Sequence, residues 1–144
     1  MSRETMIKKR PKYLNVFLLG LQLPFPGMMS IVHRVTGAGL FMMLWVPLWL
    51  FDKSLTSETD FQQLIDAIRH PIVLLICFGL LWAFIFHFFM GLRYLLLDAD
   101  FATSLKWARL TSFAVAVVSS GVTALVFAGL LWVLFPEIKA WLSI

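Results

Sequence analysis

Ser30, His33 and Arg34 stand where a basic, proline-marked N-terminal segment gives way to the first long apolar run. On a helix, residues three and four apart share a face, so these three side chains point the same way. A second polar group, His87, lies deep in another apolar run, Phe86-His87-Phe88-Phe89-Met90-Gly91-Leu92-Arg93. Ionisable groups are costly in hydrocarbon, and one found inside a membrane reads by default as part of a functional site. A neutral imidazole flanked by aromatics is a good axial ligand for haem iron. Gly91, one turn further on, leaves room for a porphyrin face. Arg34 and His33 suit haem propionates or a quinone carbonyl, and Ser30 can donate a hydrogen bond to a quinone oxygen. Structural readings compete with these. Arg34 at a helix end can snorkel to the headgroups, and His87 can hydrogen-bond to a neighbouring helix.

The elements that position these residues are membrane helices. The chain has 144 residues, 60% hydrophobic and 14% charged, with a mean hydropathy of +0.87. A soluble domain would carry about 25% charged residues. The fold class expected is all-α integral membrane, one domain, with three transmembrane helices and a short N-terminal interfacial segment. The formal charge of +4 does not indicate nucleic acid, because the cations sit in the loops and tail, where topology explains them. The single cysteine, Cys77, excludes an intrachain disulfide framework or cysteine metal site and reads as a small buried apolar residue. No A-x-A-like cleavage site follows the N-terminal basic run, so that segment reads as retained.

Residues 1–29 form a basic segment at the cytoplasmic face, with a short interfacial helix over 13–23. Pro24 and Pro26 are expected to end it. Residues 30–144 form the transmembrane domain, with spans at about 30–51, 71–97 and 110–135, each near the ~20 residues needed to cross the hydrocarbon core or longer. Pro47 is expected to kink the first span, and Gly37 and Gly39 let a helix or flat ligand approach it. Ser57 or Thr59 should cap a short helix ending at Ile68. Residues 98–109 read as the second loop. In the third span, Ser112, Ala116, Ser120, Ala124 and Ala128 form a small-residue stripe for helix packing. His70, beside Pro71, reads as an interface residue.

Five cations in the N-terminal segment, with Arg93, Lys106 and Arg109 around the second loop, outnumber Lys53 and Arg69 in the first loop and Lys139 in the tail. The positive-inside rule then places the N-terminus and second loop in the cytoplasm, and the first loop and C-terminus in the periplasm. His87 lies six residues before Arg93, roughly 9 Å from that end at 1.5 Å per residue. The first span opens from the same side, so both polar groups meet at one depth. His87 is the one histidine deep in a span. A bis-histidine haem would draw its second ligand from a partner chain.

Two motifs carry a resemblance to a known family: Arg10-Pro11-Lys12-Tyr13-Leu14 with Ser30-Ile31-Val32-His33-Arg34-Val35-Thr36-Gly37, and His87-Phe88-Phe89-Met90-Gly91-Leu92-Arg93-Tyr94-Leu95-Leu96-Leu97-Asp98. The chain resembles the cytochrome b556 subunits of succinate dehydrogenase, the larger of two small membrane anchors of bacterial complex II, over nearly its whole length. The resemblance implies that His87 is an axial ligand of haem b, and so the metal-binding residue, with the other ligand supplied by the second membrane anchor subunit. It implies that Ser30 and Arg34 line the ubiquinone site, and that His33 and Arg34 lie near the haem propionates. Tyr94 stands where some relatives have another histidine. Arg93 and Asp98 read as an inner-rim pair. The implied partners are the second anchor, an iron–sulfur subunit, a flavoprotein subunit and membrane lipid, in a bacterial inner membrane. The implied function is anchoring and ubiquinone reduction with electrons from succinate, in the tricarboxylic acid cycle and aerobic respiration. The chain holds no flavin motif or cysteine cluster, so it oxidises no succinate itself. A quinol–fumarate reductase anchor is the alternative nearest in chemistry. A non-redox membrane protein using His87 and Arg34 as a polar relay is the alternative of another class.

Overall fold

The computed structural model describes residues 23–101 and 103–135, and every regular element among them is a helix. They are α1 (Phe25–Met42), α2 (Trp45–Thr56), α3 (Glu58–Ile68), α4 (Pro71–Asp98) and α5 (Leu105–Leu134). The interfacial helix expected over 13–23, nearly all of the basic segment and the tail lysine fall outside the described residues.

Helix α1 starts at Phe25, five residues before the expected span. Pro26 does not keep the chain out of a helix here, because in the first turn proline removes an N–H that has no helical partner anyway. Ser30 therefore lies inside α1 and not at its mouth. The α1–α2 pair is bent by 43° at Met43-Leu44. The break falls three to four residues before Pro47, where a proline ring displaces the preceding carbonyls. The expected kink is present, and it separates two helices.

Helix α3 begins with the expected cap: Ser57 Oγ accepts from the Asp60 amide at 3.1 Å. Lys53 of α2 and Asp60 of α3 form an ion pair at 3.8 Å. Helix α4 opens on Pro71 and runs 28 residues, about 42 Å at 1.5 Å per residue. It closes with Asp100 at φ 60°, the Phe101 amide donating to Leu96 O and the Asp100 amide to Leu97 O. This is a Schellman-type end in which a short polar side chain takes the left-handed position usually given to glycine. Helix α5 starts at Leu105 and not at 110. Lys106 and Arg109 thus sit on its first turns, and the loop shortens to 99–104.

Helices α4 and α5 are each long and apolar enough to cross a membrane, and α1 with α2 qualifies as one bent span. The α4–α5 seam runs along Phe86, Met90 and Arg93 on one side and Ser112, Ser119 and Thr123 on the other, all buried. Of the stripe expected at every fourth residue of α5, Ser112 is buried and Ala116 half-buried, while Ser120, Ala124 and Ala128 are exposed in this chain. Four residues advance 400°, so such a row drifts around the helix. The seam follows spacings of seven and four, which stay on one face. The buried hydroxyls are satisfied within α5: Ser112 Oγ donates to Ala108 O at 2.7 Å, Ser119 Oγ to Ala116 O at 3.2 Å and Thr123 Oγ1 to Ser119 O at 2.7 Å. Ser120, exposed at the edge of the seam, accepts from Trp82 Nε1 of α4 at 3.2 Å. At the other end, Arg69 Nε donates to Leu134 O at 3.0 Å, tying the α3–α4 junction to the last turn of α5.

Candidate functional site

The site grows from the crossing of α1 and α4. Gly37 is what lets the helices meet there. A β-carbon at that position would stand 2.6 Å from His87 Cε1, so only glycine admits the imidazole. With that space open, the rings of His33 and His87 stack in parallel, centroids 4.1 Å apart and planes 7° apart. Tyr94, two turns further along α4, closes on the His33 ring at a centroid distance of 5.1 Å. The Arg93 guanidinium lies 5.6 Å from the centre of the Tyr94 ring.

His87 Nδ1 lies 3.1 Å from the carbonyl oxygen of His33 and 3.4 Å from Thr36 Oγ1. A carbonyl oxygen only accepts, so Nδ1 must carry the proton and donate to it. The neutral ring then keeps its lone pair on Nε2. That is the tautomer a metal-ligating histidine needs, with its distal N–H held by a backbone carbonyl. His87 is also among the residues that line an apolar cavity of about 550 Å³ between α1–α2 and α4, with Leu40, Leu81 and Phe84. The residues present therefore fit a haem ligand at His87. His33 does not fit as the opposing ligand, because its ring lies face to face with His87 and not across a shared metal axis.

Other groups fall less evenly around this pair. Ser30 is half-buried one turn before His33, while Arg34 is exposed and makes no hydrogen bond or ion pair among the described residues. His33 Nε2 is buried and has no hydrogen-bond partner among them. Buried polar atoms in folded proteins are nearly always paired, so an orphan marks a place where a partner group belongs.

Arg93 corrects one expectation. It does not pair with Asp98, which is exposed. It turns into the α4–α5 seam at 6% exposure, with Nε donating to Thr111 Oγ1 at 3.0 Å and a terminal nitrogen to Ala108 O at 3.1 Å. The cause is geometric: α5 begins early enough to bring Ala108 and Thr111 alongside Arg93. Sequence reasoning also assigned nothing to Thr36 or to the His33 carbonyl. Thr36 was within reach, three residues after His33 on the same helix face; a backbone carbonyl has no residue type to read.

A model of the family described as succinate dehydrogenase/fumarate reductase transmembrane subunit matches residues 6–127. The chain is similar to the succinate dehydrogenase cytochrome b556 subunit of Coxiella burnetii, 32% identical over 129 residues, covering 89% of this chain and 99% of that one. It is similar to the subunit of the same name from Paracoccus denitrificans, 29% identical over 79% of this chain and 90% of that one. A third, from Rickettsia felis, is 27% identical over 88% of this chain and 97% of its own length.

Proposed function

The chain belongs to the succinate dehydrogenase/fumarate reductase transmembrane subunit family, and from that premise we propose that it is the haem-binding membrane anchor of a bacterial succinate dehydrogenase. In this reading it sits in the inner membrane with the N-terminus cytoplasmic. It pairs with a second anchor subunit and receives electrons that pass from succinate through flavin and iron–sulfur subunits. It helps form the site where ubiquinone is reduced. Residues 1–29 serve as the segment at the cytoplasmic face and 30–144 as the transmembrane domain.

The observation that carries this reading is the His87 Nδ1–His33 carbonyl contact at 3.1 Å. With the proton on Nδ1 the lone pair of His87 Nε2 is available to ligate iron, and the His87 side chain is among those lining an apolar cavity. Haem b, when bound, supplies a one-electron carrier whose potential depends on its axial ligands and their surroundings. The chain's own residues do the rest. His87 would hold the haem iron from this chain, with a further ligand to come from the partner anchor. His33 Nε2, which has no hydrogen-bond partner among the described residues, would find one in a propionate. Arg34, exposed at the same level of α1, offers a planar charged donor to a propionate or to a quinone oxygen. Ser30, one turn away, offers a hydroxyl to the quinone. Binding and orientation of the quinone are thus the work of α1, and iron ligation the work of α4.

The test is an optical spectrum of the detergent-solubilised complex, isolated through a tag on this chain, before and after succinate. A reduced b-type band that appears with succinate and is lost in His87→Ala supports the reading. A preparation with no such band under a strong chemical reductant overturns the haem assignment.

A further inference from the structure

The His33 carbonyl is over-subscribed. It receives the Thr36 hydroxyl at 2.9 Å and His87 Nδ1–H at 3.1 Å, while the helical ladder aims the Gly37 amide at the same oxygen. A carbonyl oxygen has two lone pairs. Three donors must share them, so each bond is weaker than it would be alone. The Thr36 oxygen itself lies 3.4 Å from His87 Nδ1, and Thr36 is buried, so water does not relieve the competition.

We propose that Thr36 is a positioning residue for the iron ligand: by competing for the His33 carbonyl, its hydroxyl sets how firmly His87 Nδ1–H is held, and so tunes the iron's reduction potential. The inference rests on the haem reading given above. The direction follows from ligand chemistry. A stronger hydrogen bond from the distal N–H makes an imidazole a more basic ligand. A more basic ligand favours the oxidised, more positive iron. Removing the Thr36 hydroxyl costs His87 Nδ1–H a long contact at 3.4 Å but frees its nearer acceptor, the carbonyl at 3.1 Å, and the stronger remaining bond lowers the potential. A threonine that merely bonds back to its own helix, a common habit of the residue, leaves the potential unmoved.

The experiment is a redox titration of the b-type haem in the whole detergent-solubilised complex, with low-temperature EPR of the oxidised form. Thr36→Val, nearly isosteric and without the hydroxyl, should shift the potential downward. A threefold change in the one-electron equilibrium corresponds to about 28 mV at 59 mV per decade. Thr36→Ala should shift it the same way, and covers the case in which the valine variant does not assemble. Thr36→Ser, which keeps the hydroxyl, should return it toward the wild-type value. Hydroxyl-free variants with wild-type haem content whose potential is unchanged or raised overturn the role of Thr36 and leave the haem reading standing. A wild-type complex without b-type haem, or a His87→Ala complex with an unaltered spectrum, removes the haem reading and this inference with it.

Discussion

At the residue scale, the balance between two opposite effects decides what Gly37 does. In an ordinary helix, alanine is favoured over glycine by about 1 kcal/mol. Here the added β-carbon would stand 2.6 Å from His87 Cε1, and forcing extra volume into a packed contact costs about 1–3 kcal/mol. To admit the methyl group the imidazole would have to leave its place beside α1. Gly37→Ala should therefore displace His87 and lower the haem-to-protein ratio of the purified complex; an unchanged ratio and spectrum would mean that α1 and α4 do not meet through this glycine. In the proposed function Arg34 and Ser30 serve a different activity, the binding of quinone. Losing a hydrogen bond to a charged group costs about 1.5–3 kcal/mol, which corresponds to about tenfold or more in binding. Arg34→Ala and, to a smaller degree, Ser30→Ala should impair ubiquinone reduction while leaving succinate oxidation by a soluble dye near its normal rate. Equal loss of both activities would point to faulty assembly instead.

At the element scale, the α4–α5 seam tests which face of α5 packs. Ser119 has no exposed surface, so a larger side chain there has no free space to enter. Ser119→Leu overfills that position, at a cost of about 1–3 kcal/mol, and should lower the thermal midpoint of the assembled complex. Ser120 lies next to it in sequence but is exposed at the seam's edge, where it accepts from Trp82 Nε1 of α4. Hydrogen bonds between membrane helices average about 0.6 kcal/mol, so Ser120→Ala should melt close to wild type. The reverse order of sensitivity would restore the every-fourth-residue stripe as the packing face. Arg93 has a related structural part. Its two bonds to α5 hold the end of α4 that carries Tyr94, so the helix pair and the histidine stack share one support.

At the scale of the whole molecule, the core is small. Phe86, Met90 and Leu134 are the large hydrophobic side chains buried among the described residues, while long rows on α1, α2, α4 and α5 remain exposed. Such surface belongs against lipid or other subunits. The topology read from the cations has a direct check, because Cys77 is the single cysteine. In a Cys77→Ser chain, Thr59→Cys should react with a membrane-impermeant thiol reagent added to the periplasmic side. Ser104→Cys should react only after the membrane is opened with detergent. Labelling of Ser104→Cys from outside would invert the proposed orientation.

The sequence by itself determined the class of the molecule, the number and order of its apolar runs and the identity of its chemical groups. Apolar runs long enough for a bilayer must satisfy their backbone internally and so become helices. Pro47, Pro71 and Ser57 act on the chain next to them, and the structure agrees with each. The motifs around His33 and His87 were enough to indicate the family. What the tertiary structure decided depends on distances across helices. Linear spacing does not contain the stack of His33 on His87, the proton placed on Nδ1 by a backbone carbonyl, or the turn of Arg93 away from Asp98 toward Thr111. Each follows from the angle and register at which α1, α4 and α5 pack, and that register is set by a missing side chain at Gly37 and by small residues at Ser112, Ser119 and Thr123.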